Sequence, residues 1–239
     1  MPPSKAQADT PALIQRALRR CALFRDWPDL VLDRIARIAH LEHYERGAQV
    51  MAQDRMRREV LVVVSGCLEV SGVSAGGAKF MLSLIGPGEI VGLVRLLKAA
   101  TRLYDYHAHE DTVLVHLPSE ALHAVLDQTP LLWKDVALLA LERQRESIVA
   151  MQRRALGGLT QSVAETLLKL VGWHGQREEG GKAVCLRVSQ SDLAHMVSVS
   201  RQTMNKELRL LAEQGILAAD YGQLSILDLP ALRRIAEGR

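Results

Sequence analysis

Residues 189–211 read SQSDLAHMVSVSRQTMNKELRLL, and the spacing within this stretch decides the C-terminal fold. Ser189 is an N-cap, with Asp192 three residues on to complement the helix dipole and complete a capping-box-like arrangement. Leu193, Ala194 and Val197 follow at helical spacing, and the small Ala194 lets a second helix cross close above it. A turn at Ser198-Val199 leads to Ser200, which caps that second helix. There Met204, Leu208, Leu211 and Ala212 share the inward face, while Arg201, Gln202, Asn205, Lys206 and Arg209 share the outward one. The pair is a helix-turn-helix whose outward set suits a groove of duplex DNA. Arg and Lys donate to guanine O6 and N7, Gln and Asn pair with adenine in bidentate fashion, and amides at the capped helix starts face phosphate.

An ordinary helical hairpin would have the same two helices with a merely solvated polar face, and the flanks separate these readings. After Gly215 come Ile216-Leu217, Asp220-Tyr221-Gly222-Gln223 and Leu224-Ser225-Ile226-Leu227, a short hairpin with a glycine-containing tip. A hairpin directly behind a reading helix is a wing. The run Ser200-Arg201-Gln202-Thr203-Met204-Asn205-Lys206 resembles the S-R-x-T-x-x-[RK] signature of the Crp/Fnr family of bacterial transcription regulators. The resemblance implies a winged helix-turn-helix in which Arg201, Gln202 and Lys206 read base edges and Ser189, Ser191 and Ser200 lie near phosphates. Thr203, Asn205 and Gln223 of the wing belong to the same expected DNA-binding set. Gln202 stands where the catabolite-activator subgroup has Glu, and Lys206 where it has Arg, so that subgroup's operator is not carried over. Ser198 replaces the glycine usual in the turn, which costs strain if the position is left-handed.

The 239 residues suit two domains, each able to bury a core. A hydrophobic content of 48% with 24% charged residues describes a globular chain, and a net charge of +3 permits nucleic-acid binding without itself indicating it. With no run of 18 apolar residues and no apolar core in MPPSKAQADT, the expected location is the cytoplasm. Cys21, Cys67 and Cys185 are far apart and odd in number, which argues against a disulfide framework and Cys-x-x-Cys metal chemistry. The iron-sulfur branch of the family needs an N-terminal cysteine cluster, where this chain has Cys21 alone.

The expected fold class is α+β. Thr10-Pro11 starts a helix carrying Leu13, Ile14, Ala17 and Leu18, and a second, with Leu30, Leu32, Ile35, Ala36 and Ile38, begins near Pro28. From His40 the period becomes that of short strands: 43–46, 49–52, 59–65, 67–71, 79–85, 104–108 and 112–117, punctuated by glycines and with a Gly76-Gly77 hairpin tip. This describes an antiparallel β-roll or jelly roll, in which Glu59–Ser65, apolar on both faces, is a buried strand. Past a short helix over 119–127, Thr129-Pro130 opens a long helix to Ala155, roughly 35 Å at 1.5 Å per residue. That helix is the expected dimer seam, although no clean heptad register fits it, and Gly157-Gly158 is the hinge. Helix residues Val163, Leu167, Leu168 and Val171, a solvated loop over 176–182 and a terminal helix over 229–236 complete the DNA-binding unit. The domains are then 1–128, a sensor resembling cyclic-nucleotide-binding domains, 129–157, the dimerisation helix and hinge, and 158–239, the winged helix-turn-helix.

The resemblance also implies an effector pocket: a glycine-rich turn, a Glu for the ribose hydroxyl and an Arg-Ser pair for the cyclic phosphate. The turn is matched by Gly86-Pro87-Gly88-Glu89-Ile90-Val91-Gly92, but the Glu position holds Leu93, and Arg102 is followed by Leu103 where Ser or Thr is expected. Leucine cannot accept the hydroxyl, and an unpaired hydroxyl costs about 1 to 3 kcal/mol, one or two decades of affinity. Cyclic AMP is therefore disfavoured. An apolar or planar small effector, heme included, suits a pocket with Leu93 and Leu103 flanked by Tyr104 and Tyr106, and a pocket that binds nothing also fits. Asp105, His107 and His109 alternate along one expected strand, as a two-histidine, one-carboxylate metal site requires, but the interior parity goes to Tyr104, Tyr106 and Ala108. No metal is assigned there, and His40, His43 and His116 read as isolated histidines. The implied partners are double-stranded DNA, a second copy of the chain and, as a candidate, RNA polymerase. The rival reading is a ligand-binding interaction module with a vestigial helix-turn-helix. Nothing in the chain has the pattern of a nucleophile elbow, phosphate loop or zinc-protease motif, so no enzyme is expected.

Overall fold

The computed structural model describes residues 5–51, 58–73, 79–97, 104–156, 158–177, 183–186, 188–197, 199–220 and 223–238. Gly76-Gly77, Arg102, Leu103, Gly157, Ser198 and Tyr221-Gly222 lie outside them. The chain divides into two compact units, Met1–Arg143 and Gln144–Arg239.

In the first unit, α1 (Lys5–Arg20) and α2 (Asp29–Ile38) precede two four-stranded antiparallel sheets. One has the order β1 (His40–Tyr44), β8 (Thr112–Pro118), β3 (Glu59–Ser65), β6 (Ile90–Val91). The other runs β2 (Gln49–Met51), β7 (Asp105–Ala108), β4 (Leu68–Val73), β5 (Lys79–Ile85). Strand β3 sits between β8 and β6, in register Val60↔Leu117 and Leu61↔Val91, and its first four residues after Glu59 are fully covered. Alternation sends its residues to two cores. Val60 and Val62 join Val115 and Leu117 in a cluster with α1, α2 and α4 (Ser119–Gln128), around Phe24 and Trp27. Leu61 and Val63 join Leu114, Val91, Val50, Leu68 and Ala108 between the two sheets.

Several expectations are corrected. Helix α1 begins at Lys5 and carries Pro11 inside it, because Lys5, Ala6, Gln7 and Ala8 are strong helix formers that extend it upstream. Leu30 and Ile38 are exposed, outside the packed face of α2 formed by Val31, Leu32, Ile35 and Ala36. Pro130–Leu132 forms a separate 3-10 turn before α5 (Trp133–Leu156), since proline fixes the turn but not the following helix. The strand expected over 104–108 ends at Ala108, so His109 lies beyond it and does not alternate with Asp105 and His107; its ring nitrogen is 3.7 Å from a Glu69 carboxylate oxygen. Tyr104 is exposed rather than interior, while Tyr106 packs against the core between the sheets.

The second unit contains α6 (Leu159–His174), β9 (Gln176–Arg177), β10 (Val184–Leu186), α7 (Gln190–Val197), α8 (Arg201–Glu213), the hairpin β11 (Leu217–Asp220) and β12 (Gln223–Ile226), and α9 (Leu229–Ala236). The sheet order is β11-β12-β10-β9, so the wing hairpin continues into two further strands. Gln176 and Arg177 therefore belong to an edge strand and not to the expected loop. Their polar sequence carries no strand alternation, and pairing of Arg177 with Val184 is what defines it. Among the described residues no helix is long and apolar enough to cross a membrane.

Cys21 and Cys67 are buried, and burial raises both thiol pKa values, that of Cys67 from 9.0 to about 12. Cys185 is half-buried beside Ser225. A disulfide reagent at mildly alkaline pH is expected to label Cys185 in the native protein, and Cys21 and Cys67 only on unfolding, as a time course with peptide mapping reads. Because the folded state keeps the Cys67 proton up to about 12, stability falls as pH rises above 9.0 through this window.

Candidate functional site

Serine caps set both helices of the reading unit. The Asp192 amide donates to Ser189 Oγ at 3.0 Å and Ser189 Oγ donates to the Asp192 carboxylate at 2.8 Å, a serine N-cap at the start of α7 held by the acid three residues on. At α8 the Thr203 amide donates to Ser200 Oγ at 3.1 Å, and the two hydroxyl oxygens are 2.8 Å apart. The caps thus consume the Asp192 and Thr203 amides, so the anion-facing amides of α8 narrow to those of Arg201 and Gln202. Thr203 acts on the cap as well as lying in the expected DNA-binding set.

Helix α8 packs against α7 and β11 and buries Met204, Leu208 and Leu211, as α7 buries Leu193 and Ala194. The opposite face carries exposed Arg201, Gln202, Lys206 and Arg209 with half-buried Asn205. Glu207, next to Lys206 in the chain, accepts from Thr160 Oγ1 of α6 at 2.7 Å. Cations and amides remain on the outward face, the composition that reads base edges and phosphates. Ser189 and Ser191 are exposed at the start of α7, and Gln223 is half-buried at the start of β12, paired with Asp220 at the wing.

The glycine-rich turn of the first unit is closed by hydrogen bonds of its own and to β3. The Gly86 amide donates to the Glu89 carboxylate at 2.6 Å, the Glu89 amide to Gly86 O at 3.1 Å, and the Gly88 amide to Val63 O at 2.9 Å. Gly92, at φ +93°, approaches β3 so closely that a Cβ there would lie 2.4 Å from Glu59 O. Ile90 and Val91 are buried, Ile90 in the helix-side core. Leu93, named for the effector-binding set, packs in that helix-side core with Leu96 of α3 (Leu93–Leu97), because a leucine there finds apolar partners where a Glu would not. Arg143 of α5 donates to the Ile90 carbonyl, a bond invisible in the sequence.

His40 and His116 are not isolated. They are cross-strand partners on β1 and β8, with ring centroids 4.9 Å apart and planes at 22°. His116 Nδ1 is 3.0 Å from Glu59 Oε2, and its Nε2 lies 3.1 Å from the Tyr44 hydroxyl and 3.6 Å from Glu42 Oε2. The readable signal was the alternation His40-x-Glu42-x-Tyr44 and a histidine inside the apolar run 112–117.

A winged helix-turn-helix following a double-sheet roll defines the class as a DNA-binding regulator with a sensor-type domain. Residues 41–129 match the cyclic nucleotide-binding domain and residues 161–235 the Crp-like helix-turn-helix domain. The transcriptional regulator SdrP of Thermus thermophilus is 30% identical over 177 residues, covering 74% of this chain and 83% of that protein. The cyclic AMP receptor protein of the same organism is 28% identical over 195 residues, 82% of this chain and 87% of that one. A crystal structure of a CRP/FNR-family transcriptional regulator from that organism is similar at a TM-score of 0.69 and 27% identity, over 83% of this chain and 98% of that one. The chain belongs to the Crp/Fnr family of transcription regulators.

Ser200→Ala removes the acceptor for the Thr203 amide and is expected to cost about 1 kcal/mol in denaturant unfolding of the second unit, whereas Ser200→Gly costs only a few tenths.

Proposed function

We propose that the chain is a homodimeric regulator that reads an inverted-repeat operator through α8. The single observation that carries this reading is the exposed set Arg201, Gln202, Lys206 and Arg209 on a helix whose other face is buried and whose start is capped. Ser189, Ser191, Ser200 and the wing residue Gln223 contribute phosphate contacts, and Thr203 and Asn205 support the reading face. Two such helices in a dimer meet successive major grooves about 34 Å apart. Dimerisation is supported by Leu138, Leu141 and Ile148 of α5, which are exposed at spacings of three and seven. In this reading 1–128 senses, 129–157 dimerises and hinges, and 158–239 reads DNA, in the cytoplasm and with RNA polymerase as a candidate partner.

The effector is a small ligand other than cyclic AMP. Leu93 supports this, since it supplies no acceptor for a ribose hydroxyl and is engaged in the helix-side core. Glu89 Oε2 is bonded to the Gly86 amide. The route from turn to dimer helix is supported by the Arg143 bond to Ile90, which ties the turn's strand to α5. A ligand that favours one arrangement of that turn biases α5, as a population shift requires.

Arg201→Ala and Lys206→Ala are each expected to weaken operator binding by about 1 to 3 kcal/mol and relax discrimination. Retention of wild-type discrimination by both variants, or affinity indifferent to salt, overturns the DNA reading in favour of a protein-binding module. Leu138→Glu and Leu141→Glu together are expected to shift sedimentation equilibrium to monomer. Millimolar cyclic AMP is expected to change operator affinity by less than about twofold, and an absorption spectrum with a native mass reads bound heme and dimer together.

A further inference from the structure

The polar cluster on the β1-β8-β3 sheet is assembled from three strands. His40, Glu42 and Tyr44 share one face of β1, the edge strand, and His116 lies directly opposite His40 on β8. Leu114, two residues before His116 on β8, belongs to the core between the sheets, and Tyr44 packs against that core, so the cluster faces the roll interior at its border. His116 is buried, its side chain 2% exposed, and Glu59, beneath it on β3, is 7% exposed. A buried histidine and acid inside an otherwise apolar strand pair are costly unless each has a defined partner.

Three donor atoms converge at this point. His116 Nε2 is 3.6 Å and His40 Nε2 3.8 Å from Glu42 Oε2, and all three ligand atoms lie within 4.8 Å of one another. Bonds of about 2.0–2.2 Å at tetrahedral angles place donor atoms about 3.3–3.5 Å apart. The cluster therefore closes on an ion by small movements, and His40 and Glu42, with side chains 47% and 43% exposed, are free to make them. Behind the donors, Nδ1–H of His116 donating to Glu59 leaves Nε2 as the acceptor of the Tyr44 hydroxyl. A histidine held by a carboxylate through one nitrogen, with the lone pair of the other directed at a displaceable hydroxyl, has the outer-shell arrangement of metal-binding imidazoles.

We propose that His40, Glu42 and His116 bind a divalent first-row transition ion of the zinc class, with Glu59 fixing the tautomer and orientation of His116. Two imidazoles and one carboxylate select such an ion over calcium or magnesium, which take oxygen ligands. Three protein ligands leave a coordination position for water or a further ligand. The ion displaces the Tyr44 hydroxyl from Nε2 and staples the edge strand β1 to β8. The site goes beyond the DNA reading and stands independently of it.

The test uses tag-free, full-length protein freed of metal by a chelator, titrated with Zn²⁺ by calorimetry and with Co²⁺ by visible absorption. One equivalent is expected, with cobalt bands of a nitrogen-oxygen site and a rise in Tm on loading. His40→Ala and Glu42→Gln, both at exposed positions, are each expected to lower Zn²⁺ affinity at least about tenfold with unchanged circular dichroism, and the isosteric Glu59→Gln by about 10- to 100-fold. Wild-type protein that binds Zn²⁺ no tighter than millimolar overturns the proposal, as does unchanged affinity in both His40→Ala and Glu42→Gln.

Discussion

The first unit depends on the antiparallel pairing of β3 with β8. That pairing puts Val60 and Val62 beside Val115 and Leu117 on the helix side, and Leu61 and Val63 with Leu114 between the sheets. One ladder thereby builds two cores, since side chains alternate across a pleated strand. A one-residue slip of β3 against β8 would turn Val60 and Val62 toward the space between the sheets and Glu59 toward the helix-side core, breaking its 3.0 Å contact with His116. The same strand seats the glycine-rich turn, because its Glu59 carbonyl lies where a side chain at Gly92 would otherwise project.

Helix α5 carries two apolar faces on one length of chain. Val136 is buried and Leu139 half-buried against the roll's helices, Asp135 accepts from the Trp27 indole at 3.0 Å, and Arg143 reaches the Ile90 carbonyl. Leu138, Leu141 and Ile148 are exposed. Superposed in sequence, the two apolar faces blur into a pattern with no single heptad. Burial separates them, and the outward residues then fall at coiled-coil spacing.

The reading unit was largely legible because its determinants are local. A cap and its amide are three residues apart, and inward and outward faces follow from a 3.6-residue period, so Ser189, Ser200, Met204, Leu208 and Leu211 could be assigned before any packing was known. The buried strand Glu59–Ser65 was legible for a similar reason, being apolar on both faces. The edge strand β9 was not, since two polar residues become a strand only through their neighbour β10. Nor was the side of Leu93, which depends on how α3 leaves the turn after Gly92.

Family signature, caps, helix faces and the succession of roll, long helix and winged unit were all determined by the order of residues, because each is written in spacings of a few positions. Tertiary structure alone decided which distant groups meet. His116 and Glu59 are 57 residues apart and touch through the register of β3 on β8, while His40 meets His116 through that of β1. Register is set by the summed packing of whole strands and by the turns that join them, so no short window of sequence contains it.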